Sequence, residues 1–228
     1  VDDFFMYHEK LIMMVDTAGI RKKARITDSV EFYSFTRTKA AIKRSDVVIH
    51  LIDAEVGMSE TDKKISDEIM KEGKPVIIAI NKWDTVEKDH KTFEQYRDKM
   101  IFKFYRATDF PILSISARDK LRISKVLDKA LDLKERAAIR IGTPKLNKAL
   151  EKLQSSGRVP QMGHKIRIYY ATQIDTVPPQ FKFFVNNTDY FRKDVVRYFE
   201  KSLQQEFKLE GIPVIIHLEG KKKRSKEE

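Results

Sequence analysis

The stretch Val76-Ile77-Ile78-Ala79-Ile80-Asn81-Lys82-Trp83-Asp84, VIIAINKWD, decides the fold. Consecutive apolar residues without polar alternation mark a strand buried on both faces, and such strands belong to parallel sheets covered by helices. The run is far shorter than the roughly 20 residues of a membrane-spanning helix. It opens after Gly73-Lys74-Pro75, where Gly ends a helix and Pro bars its continuation. It closes on a polar cluster, and in open α/β sheets ligands bind outside the carboxyl ends of strands.

The pattern repeats outward from this strand. Residues 47–52 and 112–115 read as further buried strands, and residues 61–72, 93–105 and 122–140 as helices. Toward the N-terminus, residues 3–7 and 10–15 are apolar-rich and separated by His8-Glu9, which predicts an antiparallel hairpin. Residues 17–35 mix Gly, Lys, Arg, Thr and Ser and read as an exposed loop, followed by a short helix over 36–44. The alternation predicts the α/β class: a mostly parallel sheet with helices on both faces. Ile141-Gly142-Thr143-Pro144 reads as a joint. Beyond it come a helix over 145–153, with Thr143 as cap and Pro144 in its first turn, strands over 166–173 and 181–185, a long helix over 189–207 and a strand over 214–218. That order, α-β-β-α-β, predicts a small α+β domain. The expected division is 1–142, 143–220 and a charged tail at 221–228.

The 228 residues carry 45 Lys and Arg against 34 Asp and Glu, a net charge of +11. Residues 1–142 hold +4 of it and the shorter 143–228 hold +7, so the second part is the more basic. Such a surface raises affinity for phosphate backbones without naming one, and charge alone favours the plainer reading of a solvated lysine-rich surface. The chain has no cysteine, which excludes disulfides and Cys-ligated zinc and fits a reducing cytoplasm. No apolar stretch exceeds strand length, so no membrane segment is expected. The start, Val1-Asp2-Asp3, lacks the basic and apolar regions of a signal peptide and leads straight into a strand pattern, as a chain starting within a domain would.

Three short motifs carry chemistry. Asp16-Thr17-Ala18-Gly19 stands where a strand passes into a loop. An Asp there can hold Mg²⁺ through water, and Gly19 lets a backbone N–H approach a phosphate. Asp84, in Asn81-Lys82-Trp83-Asp84, can accept hydrogen bonds from the ring N–H and exocyclic amine of guanine, a donor pair adenine lacks. An acceptor left unpaired costs about 1–3 kcal/mol, the size of the discrimination. Asn81 can support the other edge of the base, and the Lys82 stem can lie across its face. Ser116-Ala117 follows a strand, where small residues let backbone N–H groups reach the base oxygen. Each motif alone is commonly an ordinary turn. Together, each at the end of a strand and in this order, they point to a guanine nucleotide.

The combination resembles the translation-factor-related GTPases. Within that class, Asp16–Lys23 (DTAGIRKK), residues 29–34 (SVEFYS) and 57–63 (GMSETDK) resemble the second GTPase domain of the Der (EngA) family. Tyr170-Ala171-Thr172-Gln173, Pro178-Pro179-Gln180-Phe181 and Phe184-Val185-Asn186 resemble the KH-like domain that ends those proteins. The resemblance implies a P-loop-NTPase-like fold and a GTP-hydrolysing switch in large-subunit ribosome assembly. It implies GTP or GDP and Mg²⁺ as ligands, with a monovalent cation as a candidate aid to catalysis. Its implied partners are ribosomal RNA, the large ribosomal subunit and a preceding GTPase domain of the same chain, in the cytoplasm. The nucleotide-binding residues it implies are Asp16, Gly19, Asn81, Lys82, Asp84, Ser116 and Ala117, with Asp16 near the metal. The loop at 21–25 would be a switch that changes order with the γ-phosphate.

Departures from the pattern sharpen these expectations. No Gly-x-x-x-x-Gly-Lys-Ser/Thr loop occurs, so this stretch alone is expected to bind GTP weakly or not at all. Ile20 follows Gly19 where Ras-like enzymes place a water-orienting Gln, which leaves no catalytic base to assign. The second domain lacks a Gly-x-x-Gly clamp for RNA. Tyr169, Tyr170, Phe181, Phe183 and Phe184 are stacking candidates, with core positions expected for most. Trp83 is expected as a partly covered neighbour of the base pocket. The alternative function is a non-enzymatic RNA- or protein-binding module.

Overall fold

A computed structural model describes residues 2–15, 28–87, 89, 91–159 and 166–220. Strands β1 (Asp3–Tyr7) and β2 (Lys10–Met14) form the expected antiparallel hairpin, with Tyr7 opposite Lys10. Its turn residues, His8 and Glu9, both have positive φ, the geometry that matches the twist of two-residue hairpins. The turn is tied to the helix α4 (Ile123–Ala137): the Tyr7 hydroxyl lies 2.7 Å from Asp128 and donates to the Ser124 carbonyl at 3.2 Å.

Strands β3 (Val48–Asp53), β4 (Val76–Asn81) and β5 (Ile112–Ser114) form a parallel sheet in that order. Helix α2 (Glu60–Lys71) connects the first two, and α3 (Thr92–Lys103) with a 3-10 turn (Tyr105–Asp109) connects β4 to β5. The central strand explains its own sequence. Ile77 and Ala79 pack on one face with Val126, Leu133 and Ala137 of α4. Val76, Ile78 and Ile80 pack on the other with Ile69 of α2 and Met100 of α3. Both faces are covered, so neither phase of the alternation can be polar. Helix α2 starts with a capping box: Asp62 N–H donates to Ser59 Oγ, and Ser59 N–H donates to the Asp62 carboxylate at 2.8 Å.

The second part consists of α5 (Thr143–Ser155), β6 (Ile168–Thr176), β7 (Pro179–Val185), a 3-10 turn (Thr188–Tyr190), α6 (Lys193–Glu206) and β8 (Ile215–Gly220). β7 is the middle strand, antiparallel to β6 and parallel to β8. Its alternate residues Phe181, Phe183 and Val185 are buried against Phe199 and Leu203 of α6. The outer edge of β6 is bonded by side-chain amides. Asn147 on α5 accepts from the Ala171 N–H and donates to the Ala171 carbonyl, both at 2.8 Å. Gln154 does the same to Ile168 at 2.7 and 3.3 Å, and Gln173 Oε1 accepts from the Ile141 N–H. The amides of Asn147 and Gln154 act in place of a fourth strand and satisfy an edge that would otherwise invite pairing.

The two parts share one hydrophobic cluster, which runs from Ile77 and Leu133 through Leu146 and Leu150 to Phe181 and Phe199. Backbone bonds cross the junction: Val76 N–H to the Gly211 carbonyl at 3.1 Å, and Gly211 N–H to the Asp109 carbonyl at 3.0 Å. Gly211 has φ +83°, and a Cβ there would stand 2.7 Å from Pro111 Cδ, so the close approach needs glycine. The Asp109 carboxylate, nearly buried, pairs with Arg197 at 3.0 Å and Lys201 at 3.1 Å on α6.

Several sequence readings need correction. Helix α1 runs over Asp28–Arg44, so residues 28–35 are helical and not loop. Their spacing of polar and aromatic residues gave no apolar stripe to announce it. Gly142, with extended backbone, is the N-cap of α5, and Thr143 is already inside the helix without a capping bond. The helix expected over 189–207 divides into the 3-10 turn and α6. Trp83 is 4% exposed, set edge-on against Phe93 and Tyr96 of α3, and is a core residue. Phe181 and Phe183 are core as expected, but Tyr169 and Tyr170 are both exposed. The register shift between Ile168 and Tyr170 breaks the alternation that would have turned one of them inward.

Candidate nucleotide site

The carboxyl ends of β3, β4 and β5 bring the second and third motifs together. Asn81 is the last residue of β4 and lies opposite Asp53, the last of β3. Lys82 follows with φ +61°, which turns the chain sharply out of the sheet. The Trp83 N–H donates to the Ile115 carbonyl at 3.0 Å, and the Lys82 carbonyl accepts from Thr85 N–H and Oγ1 at 3.1 and 3.0 Å. The burial of Trp83 anchors this turn from below, with the Lys82 side chain exposed and that of Asp84 nearly buried.

The loop after β5 is bonded to it. Ala117 N–H donates to Asn81 Oδ1 at 3.0 Å, so the Asn81 amide joins the two loops, and in this structure that N–H is directed at Asn81. Ser116 is fully buried; its backbone exchanges bonds with Leu121, and its Oγ accepts from Asp119 N–H at 3.0 Å. The loop is thus a closed turn with Ser116 as its hub. Lys82 Nζ sits 2.7 Å from Asp53 Oδ2, and this bond holds the Asp53 carboxyl below its usual range against a smaller opposing effect of burial. Asp84, with 9% of its side chain exposed, receives Arg118 Nη2 on Oδ2 at 2.8 Å.

Asn81, Lys82, Asp84, Ser116 and Ala117 are therefore brought to one end of the sheet. Asp16 and Gly19, and the switch loop at 21–25, lie outside the described residues. Sequence reasoning missed Asp53 and Arg118. Asp53 was legible as the last residue of a buried strand; Arg118 carried no signal, since its contact with Asp84 joins two loops. Among the described residues no cluster of three or more His, Asp or Glu is placed to hold a metal, and no helix is long and apolar enough to cross a membrane.

A second polar constellation is structural. His50 on β3 stands between Ser66 Oγ (3.2 Å) and Asp62 Oδ1 (3.4 Å), the residue types of a hydrolytic triad. Ser66 is 1% exposed and His50 6%, so no substrate can reach them, and the network locks α2 onto β3.

Comparison with known proteins follows the same division. The family described as the elongation factor Tu GTP-binding domain matches residues 4–136, and the KH-domain-like family of EngA bacterial GTPase enzymes, C-terminal, matches residues 140–219. The chain is 37% identical over 225 residues to GTPase Der of Leptospira borgpetersenii, covering 98% of this chain and 46% of that protein. The chain belongs to the Der (EngA) GTPase family. GTPase Der of Caldanaerobacter subterraneus is 40% identical over 217 residues, 95% of this chain and 49% of that one. The chain thus spans about half the length of these Der relatives. Among solved structures, Aquifex aeolicus Era bound to GDP and tetrafluoroaluminate has a TM-score of 0.47 at 21% identity, over 93% of this chain and 77% of that one. That likeness is too distant to bear on function.

Proposed function

We propose that this chain is the guanine-reading part, with the attached KH-like domain, of a GTP-hydrolysing Der switch that acts in assembly of the large ribosomal subunit. The observation that carries the reading is the placement of Asp84: a nearly buried carboxylate on a turn pinned by the Asn81–Ala117 bond, with one guanidinium nitrogen of Arg118 2.8 Å from its Oδ2. The edge of guanine presents two neighbouring N–H donors in one plane, which a carboxylate held in this way can accept, so the residues present fit the base. Asp84 reads guanine, Asn81 fixes the two loops that flank the base, and the Lys82 stem covers its face once Nζ leaves or shares Asp53. Ser116 and Ala117 form the floor. Asp16 holds Mg²⁺ through water and Gly19 meets the γ-phosphate. A phosphate loop and a preceding GTPase domain come from the protein's other half. The nucleotide and metal supply the hydrolysable bond and the charge that neutralises it, with a monovalent cation assisting.

In this reading the shared core and the Asp109–Arg197–Lys201 junction make the KH-like domain move with the guanine site. GTP would order the switch loop and alter how this unit meets the preceding domain, and with it the affinity for ribosomal RNA in the cytoplasm. The test uses the full-length protein: hydrolysis of GTP but not ATP, and sedimentation with large subunits that differs between a non-hydrolysable GTP analogue and GDP. RNA binding that weakens with salt yet ignores the nucleotide would favour the non-enzymatic interaction module.

A further inference from the structure

The side chain that meets Asp84 is the one feature of the site that its proposed role does not require. Arg118 Nη2 lies 2.8 Å from Asp84 Oδ2, while Arg118 Nε donates to Asp119 Oδ1 at 3.1 Å. The partners differ sharply in exposure: the Asp84 side chain is 9% exposed and that of Arg118 72%. The carboxylate is therefore fixed, and the cation reaches in from solvent. Guanidinium and guanine present the same feature to a carboxylate, neighbouring N–H donors in one plane. The two N–H donors of guanine call on both carboxylate oxygens, so a guanidinium nitrogen on Oδ2 competes with the base.

We propose that Arg118 is a built-in stand-in for guanine, a gate that holds Asp84 in the empty site, is displaced by the incoming base, and so sets the rate of guanine-nucleotide entry. The proposal rests on the guanine-reading role of Asp84 given above. The local geometry suits a gate. The backbone on either side of Arg118 is pinned, Ala117 N–H on Asn81 and Asp119 N–H on Ser116 Oγ, so the side chain can move without the loop. Asp119 gives the displaced guanidinium a partner of its own, half-exposed and already bonded to Nε. Opening thus loses the Asp84 contact but keeps the Asp119 pair, so the displaced guanidinium is not left alone. Nucleotide binds only the open fraction, so the apparent affinity falls by that fraction. At the upper end of the strength of exposed pairs the closed form is favoured about fivefold, which leaves about one sixth of the sites open.

The experiment is stopped-flow binding of a fluorescent N-methylanthraniloyl GDP to the full-length protein. The Asp84→Asn variant identifies the kinetic phase that belongs to this site, as the phase it removes or slows. In Arg118→Ala the association rate of that phase is expected to rise up to about sixfold with its dissociation rate unchanged, because the gate acts only before binding. Arg118 is exposed, and unchanged circular dichroism would confirm the fold. An association rate that is unchanged or lower in Arg118→Ala, with Asp84→Asn still disabling the phase, overturns the gate and leaves the guanine reading standing. A phase unaffected by Asp84→Asn overturns the guanine reading, and the gate with it.

Discussion

Replacing Asn147 by Ala tests whether side-chain amides hold the edge of the second sheet. The Asn147 amide makes three bonds of 2.8 Å: it accepts from Ala171 N–H and donates to the carbonyls of Ala171 and Thr143. Ala171 is fully buried in the middle of β6, so water cannot replace what is lost. Each orphaned buried backbone group costs about 1–3 kcal/mol, and two are created. Alanine's better helix propensity returns roughly 0.5 kcal/mol. The expected net loss is about 2–5 kcal/mol, or a fall in melting temperature of roughly 5–20 °C for a chain of this size. Urea unfolding followed by far-ultraviolet circular dichroism measures it, with Lys148→Ala, exposed on the same helix, as the control within about 0.5 kcal/mol of wild type. A loss for Asn147→Ala no larger than the control's would refute the reasoning, since it would mean that the edge of β6 finds other partners at no cost.

The other expectations concern α2 and the junction. Burial pushes the Asp62 carboxyl up, but the bonds from His50 and Ser59 outweigh it and leave it below its ordinary value of 3.8. Its contribution is therefore fully present above about pH 4 and lost as pH falls through the lowered folded value. Asp62→Asn should cost about 1 kcal/mol at pH 7, and the gap to wild type should close only below pH 4; a gap that closes between pH 7 and 5 would contradict it. Gly211→Ala forces both a positive φ and a 2.7 Å contact with Pro111 on a side chain, and should destabilise by about 2 kcal/mol or more in thermal unfolding, where a neutral result would show that the junction yields.

How much of this was legible in the sequence depended on whether the signal was local. β4 announced itself because burial on both faces leaves an uninterrupted apolar run; β3 read the same way, although His50 interrupts it and Leu51 faces solvent. Asn81, Asp84 and Ser116 were legible because strand ends locate ligand sites in α/β sheets, and the structure brings them together. The start of α1 at Asp28 was not, since its first turns lack an apolar stripe. Nor was the Gly142 cap, because a glycine with extended backbone caps without a side-chain bond to suggest it. The amides of Asn147 and Gln154 carried no signal in the sequence, and their purpose appears only when β6 lies beside them. Arg118 stayed hidden for the same reason: its partner is 34 positions away, on a different loop.

The central claim, that this site reads guanine through Asp84, is tested most directly by exchanging its acceptor. Xanthine carries an oxygen where guanine carries the exocyclic amine, so a carboxylate suits guanine and an amide N–H suits xanthine. In full-length protein carrying Asp84→Asn, binding of guanosine diphosphate at this site should weaken about a hundredfold, from the loss of roughly 3 kcal/mol of charge-assisted hydrogen bonding, while binding of xanthosine diphosphate strengthens. An unchanged preference for guanosine over xanthosine nucleotides in that variant would contradict the account.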